Sequence, residues 1–278
     1  MKYLDSNIIK ILKKNELYFC KNWDSVIWDF NNEFLTLYNK DLFDDYFINR
    51  TIIKKNTNLF LKNKNQIEKI IHSLNNISKN EKINFYLHLN SDQTLLEDYL
   101  VKKGFEKIDE VIGLYYPYYF DLSILTENFN SSENYSNLSK IIVIDDIDTL
   151  KEWVNIYCLS FGISSRKKYL IYEILKKKFG IFYFISFKIN GINETHGNTV
   201  GCCILFPYRG SISLYCLGTK KEYRHKHVAT NLLDFSIKFG KDKGYQIFGL
   251  QTLKSDGLLN FYEKKGFVKL YTTLIYRL

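Results

Sequence analysis

The chain has 278 residues, 46% of them hydrophobic, with 22 Tyr, 21 Phe and a formal charge of +9. That apolar and aromatic content excludes a disordered chain, and the length suits two ordinary domains. The positive balance suits a polyanionic ligand, but Lys and Glu are scattered with no long block of one sign, so composition gives nucleic-acid binding no support.

No apolar run approaches the ~20 residues of a membrane span, and Met1 to Cys20 alternates Lys and Asn with Ile and Leu instead of forming a signal-peptide core. A cytosolic protein without membrane contact is expected. Five cysteines, Cys20, Cys158, Cys202, Cys203 and Cys216, make an odd number with no metal-ligand spacing, so reduced, mostly buried thiols and no metal are expected.

Along the chain, Asn7 to Phe19 carries Ile8, Ile11, Leu12 and the cluster Leu17, Tyr18, Phe19 at the spacing of a short amphipathic helix. Packing on its own domain and lying on a membrane surface are both open to such a helix. Trp23 to Leu37 alternates as strands do, with VIWDF and EFLTLY as the expected pieces. A helix follows over Asn65 to Leu74, with Ile67, Ile70, Ile71 and Leu74 on one face, and then an alternating strand from Ile83 to Leu89.

The segment after that strand, Leu95 to Tyr116, resembles a second segment from Leu258 to Leu278. Lys102-Lys103-Gly104-Phe105 superposes on Lys264-Lys265-Gly266-Phe267, each preceded by a helical pattern and followed by a strand. A glycine-capped helix leading into a strand is common, and internal duplication is the alternative with more consequence. Leu122 to Lys140 is rich in Ser and Asn and poor in periodic apolar positions. The domains expected are therefore 1–121, a linker over 122–139, and 140–278.

The second half is expected to open with a strand at Ile141 to Ile144. A helix capped by Asp145 or Asp146 comes next, burying Leu150, Trp153, Val154, Tyr157 and Phe161. A second helix spans Ser165 to Lys178. Strands at Ile181 to Ile189 and Val200 to Pro207 form a hairpin, joined in the sheet by Ile212 to Leu217, Gln246 to Leu253 and Val268 to Tyr276.

After Leu217 the chain passes through Gly218 and Thr219 into the basic run Lys220, Lys221, Glu222, Tyr223, Arg224, His225, Lys226, His227. A helical pattern follows, with Val228, Leu232, Phe235 and Phe239 apolar and the small residues Ala229 and Thr230 in its first turn. Free N–H groups at a helix start, surrounded by cations, suit a diphosphate better than an extended nucleic-acid backbone.

Arg224-His225-Lys226-His227-Val228-Ala229 resembles the R-x-x-G-x-A/G acyl-CoA pyrophosphate loop of the GNAT superfamily of N-acyltransferases. Ser255-Asp256-Gly257-Leu258-Leu259-Asn260-Phe261-Tyr262-Glu263-Lys264-Lys265-Gly266-Phe267 resembles the family's closing motif, in the variant with Tyr-x-x-x-Gly-Phe. The resemblance implies two tandem GNAT-like domains, each a mixed, mostly antiparallel sheet flanked by helices (α/β, of α+β type). The first would have lost its cofactor site, since Leu100 aligns with Tyr262 and no counterpart of the Arg224 loop precedes its helix.

It further implies direct transfer of an acetyl group from acetyl-CoA to an unidentified amine acceptor, in a monomer or homodimer without nucleic-acid partner. Leu217, Gly218 and Thr219 would pair with the pantetheine arm. Arg224, His225, Lys226, His227, Val228, Ala229 and Thr230 would hold the diphosphate, Ser255 would contact the cofactor or cap a helix, and Tyr262 would protonate the leaving thiolate. His227 stands where the family has glycine, and neither Ile212 to Thr219 nor Gln246 to Leu253 supplies a carboxylate base. An inactive acyl-CoA-binding protein is therefore the alternative.

Overall fold

The computed structural model describes residues 2–30, 34–42, 44–53, 68, 71–72, 75–76, 78–80, 84–90, 94–118, 139–189 and 197–277. The expected linker over 122–139 lies outside them except for its last residue, as do most of the helix expected over 65–74 and all but the last residue of the hairpin loop expected over 191–197. Contacts divide the chain into two units. One comprises Met1–Asn15, Tyr115–Leu250 and Gly266–Val268, and the other Glu16–Leu114, Gln251–Lys265 and Lys269–Leu278. They do not follow a single cut in the sequence: the start of the first helix groups with the later residues, and the last strand with the earlier ones.

In the first of these units the strands run in the order β10 (Ile247–Leu253), β9 (Ser211–Thr219), β8 (Asn198–Tyr208), β7 (Tyr183–Ile189), β6 (Ser139–Val143). The pairs are antiparallel except β9 with β10. Helices α3 (Ile147–Ser160), α4 (Ser165–Lys176) and α5 (Val228–Asp242) complete it. Asp146 starts α3 by accepting from the backbone N–H of Thr149 at 2.7 Å, one of the two caps expected. The apolar stripe of α3 then buries Leu150, Trp153, Val154 and Tyr157. The Trp153 indole N–H is shared between the carbonyls of Ile185 and Cys203, at 3.0 and 3.2 Å, so the buried ring leaves no polar atom unmatched. Phe161 departs from the expected stripe: it is the C-cap, past the last helical turn, and is 52% exposed.

The start of α1 (Lys2–Lys21) is fastened to this unit through one buried amide. Asn15 Nδ2 donates to the Phe206 carbonyl and to Ser211 Oγ, each at 3.1 Å, and its Oδ1 accepts from the Tyr215 hydroxyl at 2.9 Å. Asn15→Ala would remove three buried hydrogen bonds at once, so a loss of about 2–4 kcal/mol in urea unfolding is expected. A loss within 0.5 kcal/mol would mean water replaces the amide.

The second unit has the strand order β1 (Val26–Phe30), β2 (Phe34–Tyr38), β3 (Arg50–Ile53), β4 (Tyr86–Asn90), β11 (Val268–Arg277), β5 (Glu106–Tyr116). β3 and β4 are parallel, whereas β1–β2, β2–β3 and β4–β11 are antiparallel. α2 (Thr94–Lys102) buries Leu100 in a core with Phe34, Leu87, Leu89, Leu274 and Tyr276. Gly104 follows α2 with φ 87°, and Gly266 follows α6 (Leu259–Lys264) with φ 86°. The repeated Lys-Lys-Gly-Phe is thus the same left-handed helix stop used twice, at a position where a Cβ would be strained.

This unit also encloses charge. Glu16 and Arg50 are 6% and 2% exposed and form a 2.6 Å ion pair. The Tyr271 hydroxyl donates to the other Glu16 oxygen at 3.2 Å, and Gln251 Nε2 donates to the Tyr271 oxygen at 3.1 Å. No helix among the described residues is long and apolar enough to cross a membrane.

Candidate active site

Pairing at the end of β9 is what opens a site. β8 and β9 are in register from Tyr208↔Ser211 to Ile204↔Tyr215, then slip by a bulge and resume at Cys202↔Gly218 and Gly201↔Thr219. Cys216 takes the extra step with φ 54°, a left-handed conformation unusual for a side chain other than glycine. On its other side β9 pairs with β10 only from Ser211 to Leu214. Leu217, Gly218 and Thr219 therefore lie beyond the β10 ladder, with backbone groups aligned as a strand edge.

Gly218 is required there by the end of α3. A Cβ on it would come within 2.8 Å of Ser160 Cβ, 3.0 Å of Ser160 Oγ and 3.2 Å of Cys202 Sγ. Gly201, on β8, likewise lacks the Cβ that would collide with Val228 Cγ1, so the first residue of α5 is seated on a glycine of the sheet. Val228 is accordingly 2% exposed, held by packing and not available as a side-chain ligand.

Between strand and helix the chain makes a short 3₁₀ turn, Lys221–Tyr223, and then turns sharply. Arg224 Nη2 donates to the Ser160 carbonyl at 3.1 Å and Nε reaches the Thr219 carbonyl at 3.4 Å. Its guanidinium therefore clips the loop to the end of α3 while the side chain stays exposed. Glu222 lies 3.9 Å from Lys220, and Lys226 sits 5.1 Å over the Tyr223 ring.

His225 and His227 both have positive φ, 61° and 58°. His227 is the N-cap of α5 and makes no side-chain cap bond, and the first turn holds no acidic residue. The backbone N–H groups at the start of a 15-residue helix, including those of Ala229 and Thr230, thus have no side-chain cap from His227. Left-handed residues just before a helix turn successive N–H groups toward one point, an arrangement that attracts anions. The left-handed φ is also a physical reason for glycine at position 227, beyond close approach of a phosphate.

Tyr262 is on α6 in the other unit, 5% exposed, with its ring 5.1 Å from that of Phe261 in an edge-on arrangement. Ser255 is not the cap of α6, which is Leu258. Its hydroxyl donates to Asp109 Oδ2 and its backbone N–H to Asp109 Oδ1 at 3.2 Å. Burial, followed by the Asp109 carboxylate, holds Asp256 above the usual aspartate range. Nothing in the sequence marks Asp109, which is 146 residues from Ser255. The described residues include no group of His, Cys, Asp and Glu able to hold a metal ion.

Residues 187–269, from the end of β7 to the start of β11, match the family model for an acetyltransferase (GNAT) domain. No curated protein matches the sequence. Solved structures resemble the chain over most of its length. A GCN5-related N-acetyltransferase from Kribbella flavida has a TM-score of 0.63 at 11% identity, covering 91% of this chain and 88% of its own. For one from Sphaerobacter thermophilus the figures are 0.64 and 10%, covering 90% and 82%. A conserved protein of unknown function from Staphylococcus epidermidis gives 0.61 and 14%, covering 91% and 94%. At such identities the likeness is one of fold.

Proposed function

We propose that this chain, whose residues 187–269 match the GNAT acetyltransferase domain, is a member of the GNAT superfamily and an acetyl-CoA-dependent N-acetyltransferase that passes an acetyl group directly to an amine. The observation that carries the reading is the left-handed pair His225 and His227 ahead of a helix start that has no side-chain cap, immediately after a strand edge that β10 has ceased to pair. A diphosphate suits the first, and the amides of a pantetheine arm suit the second, which is Leu217 to Thr219.

Arg224 supports the loop through Ser160 and Thr219, and Lys226, with the backbone of Ala229 and Thr230, supplies attraction for the phosphates. In the transfer itself the neutral amine nitrogen bonds to the thioester carbon and the carbon–sulfur bond breaks. The amine's surplus proton leaves to solvent, and the departing thiolate takes a proton from Tyr262. Ser255 is proposed to act near the cofactor through the hydrogen bonds it shares with Asp109. The first half of the chain is read as a GNAT-like unit without a cofactor site of its own.

Thermal unfolding with acetyl-CoA tests the ligand, since a ligand bound to the native state must raise the midpoint. Thiol release with a panel of amines then tests the transfer. A raised midpoint without thiol release would favour the second reading, an inactive acyl-CoA-binding protein. The left-handed His227 in the glycine position is the observation on that side.

His227→Gly separates the two contributions of that residue. A left-handed non-glycine residue costs about 1–2 kcal/mol, partly offset by the greater freedom of glycine in the unfolded chain. The variant should therefore be as stable as the parent or up to about 1 kcal/mol more so, and should bind CoA severalfold more tightly by calorimetry. Weaker binding would make the imidazole a donor to the phosphates.

A further inference from the structure

Helix α3 carries a line of rings along the side that faces the sheet. Trp153, Tyr157 and Phe161 recur every fourth residue and so fall on one side of the helix. Trp153 and Tyr157 stack at 5.4 Å between centroids with 19° between their planes, and Phe161 lies 5.1 Å from Tyr157. Because the Trp153 indole donates to carbonyls of β7 and β8, this line is the sheet-facing one. Exposure along it climbs from 0% at Trp153 to 9% at Tyr157 and 52% at Phe161, so the line emerges into solvent at its last ring.

The place where it emerges is fixed by the end of the helix. The Phe161 N–H donates to the Tyr157 carbonyl at 3.1 Å, the Ile163 N–H donates to the Cys158 carbonyl at 2.9 Å, and Gly162 between them takes φ 64°. Ser160, the residue before Phe161, fills the space over Gly218, and its carbonyl accepts from Arg224 at 3.1 Å. Phe161 therefore follows directly on a residue set between the strand edge Leu217 to Thr219 and the loop that leads into α5. All of these residues belong to one compact unit.

An exposed aromatic ring on a fixed backbone gains by being covered with an apolar group, and the covering costs little ordering of the protein. In CoA the carbon next to the diphosphate end of the pantetheine arm bears two methyl groups. With the diphosphate at the start of α5 and the arm along Leu217 to Thr219, those methyl groups fall beside the end of α3.

We propose that Phe161 covers the pantetheine arm, its ring packing on the paired methyl groups while the backbone of Leu217 to Thr219 pairs with the amides. Phe161 binds and takes no part in bond making. This inference rests on the reading of the site as one for acetyl-CoA.

The test is a calorimetric titration of the full chain with CoA and with phospho-ADP, the nucleotide of CoA stripped of its pantetheine arm. Phe161→Ala should raise the Kd for CoA about fivefold, the effect of uncovering roughly half a phenylalanine side chain, and leave that for phospho-ADP within twofold. Phe161→Leu, which keeps an apolar cover, should stay within about twofold of the parent for both. Phe161→Trp should shift its emission to the blue on addition of CoA but not of phospho-ADP, with the parent chain as reference for the other tryptophans. These two variants decide the matter if the alanine variant fails to fold.

An unchanged Kd for CoA in a folded Phe161→Ala chain overturns the assignment. So does an equal loss for CoA and phospho-ADP, which would place the effect in the Ser160–Arg224 contact, or a loss confined to the KM of the amine. Each of these leaves the acetyl-CoA reading intact, whereas a parent chain that gives no heat with CoA overturns that reading and the role of Phe161 with it.

Discussion

Tyr262→Phe is expected to lower turnover by a factor of ten or more while leaving CoA binding within twofold. A thiolate leaving a thioester must be protonated or stabilised as the carbon–sulfur bond breaks, and a phenol with a pKa near ~10 can hand over its proton or share it. Phenylalanine keeps the ring that packs against Phe261 at 5.1 Å and keeps the apolar fill of a position only 5% exposed. What it removes is one hydroxyl, worth about 0.5–1.5 kcal/mol to the fold, so the variant remains folded. The measurement is steady-state thiol release at saturating acetyl-CoA, beside a calorimetric CoA titration. Unchanged turnover removes Tyr262 from the chemistry, and lost CoA affinity makes it a cofactor contact instead.

Tyr262 also marks what the residues alone could convey. Its equivalent in the repeated segment, Leu100, is fully buried, so both copies place that position inward and only the second puts a hydroxyl there. The order of elements in the second half was legible because apolar spacing, an Asp cap and glycine stops agree from Ser139 to Arg277. Asp146 does cap α3, and Gly266 does take positive φ. Phe161 misleads because the helical period continues arithmetically through a residue at which the helix has already ended.

Within the candidate site the sequence shows the cations but not their geometry. Arg224 reads as a phosphate ligand, whereas the structure gives two of its N–H groups to the carbonyls of Ser160 and Thr219, a role no motif encodes. The left-handed turn at His227 is hidden because the residue that would announce it, glycine, is missing. Long-range pairs such as Ser255 with Asp109, or Asn15 with Tyr215, leave no trace in local spacing. Glu16 and Arg50 read as solvent-facing by type, and both are enclosed.

That enclosed pair carries the largest stability effect expected. Glu16→Ala would strand a guanidinium that is 2% exposed, and breaking a buried pair by removing one partner costs about 3–5 kcal/mol. The remaining contacts of Arg50 do not replace the bonded carboxylate: Asp45 acts on it only through space and is itself pushed up by burial, Nε donates to the Phe47 carbonyl at 2.6 Å, the guanidinium lies 4.4 Å from the Phe47 ring centroid, and Nη2 is buried without a partner. Cys20, whose thiol burial pushes up to about 12, remains neutral and gives no counter-charge.

Urea unfolding of Glu16→Ala, Arg50→Met and the double variant closes a cycle. If the energy resides in the stranded charge, the double variant is more stable than Glu16→Ala alone, because it removes the guanidinium along with its partner. If the two losses add, the pair is a solvated contact. In that case the hydroxyl of Tyr271 has no fixed carboxylate to face.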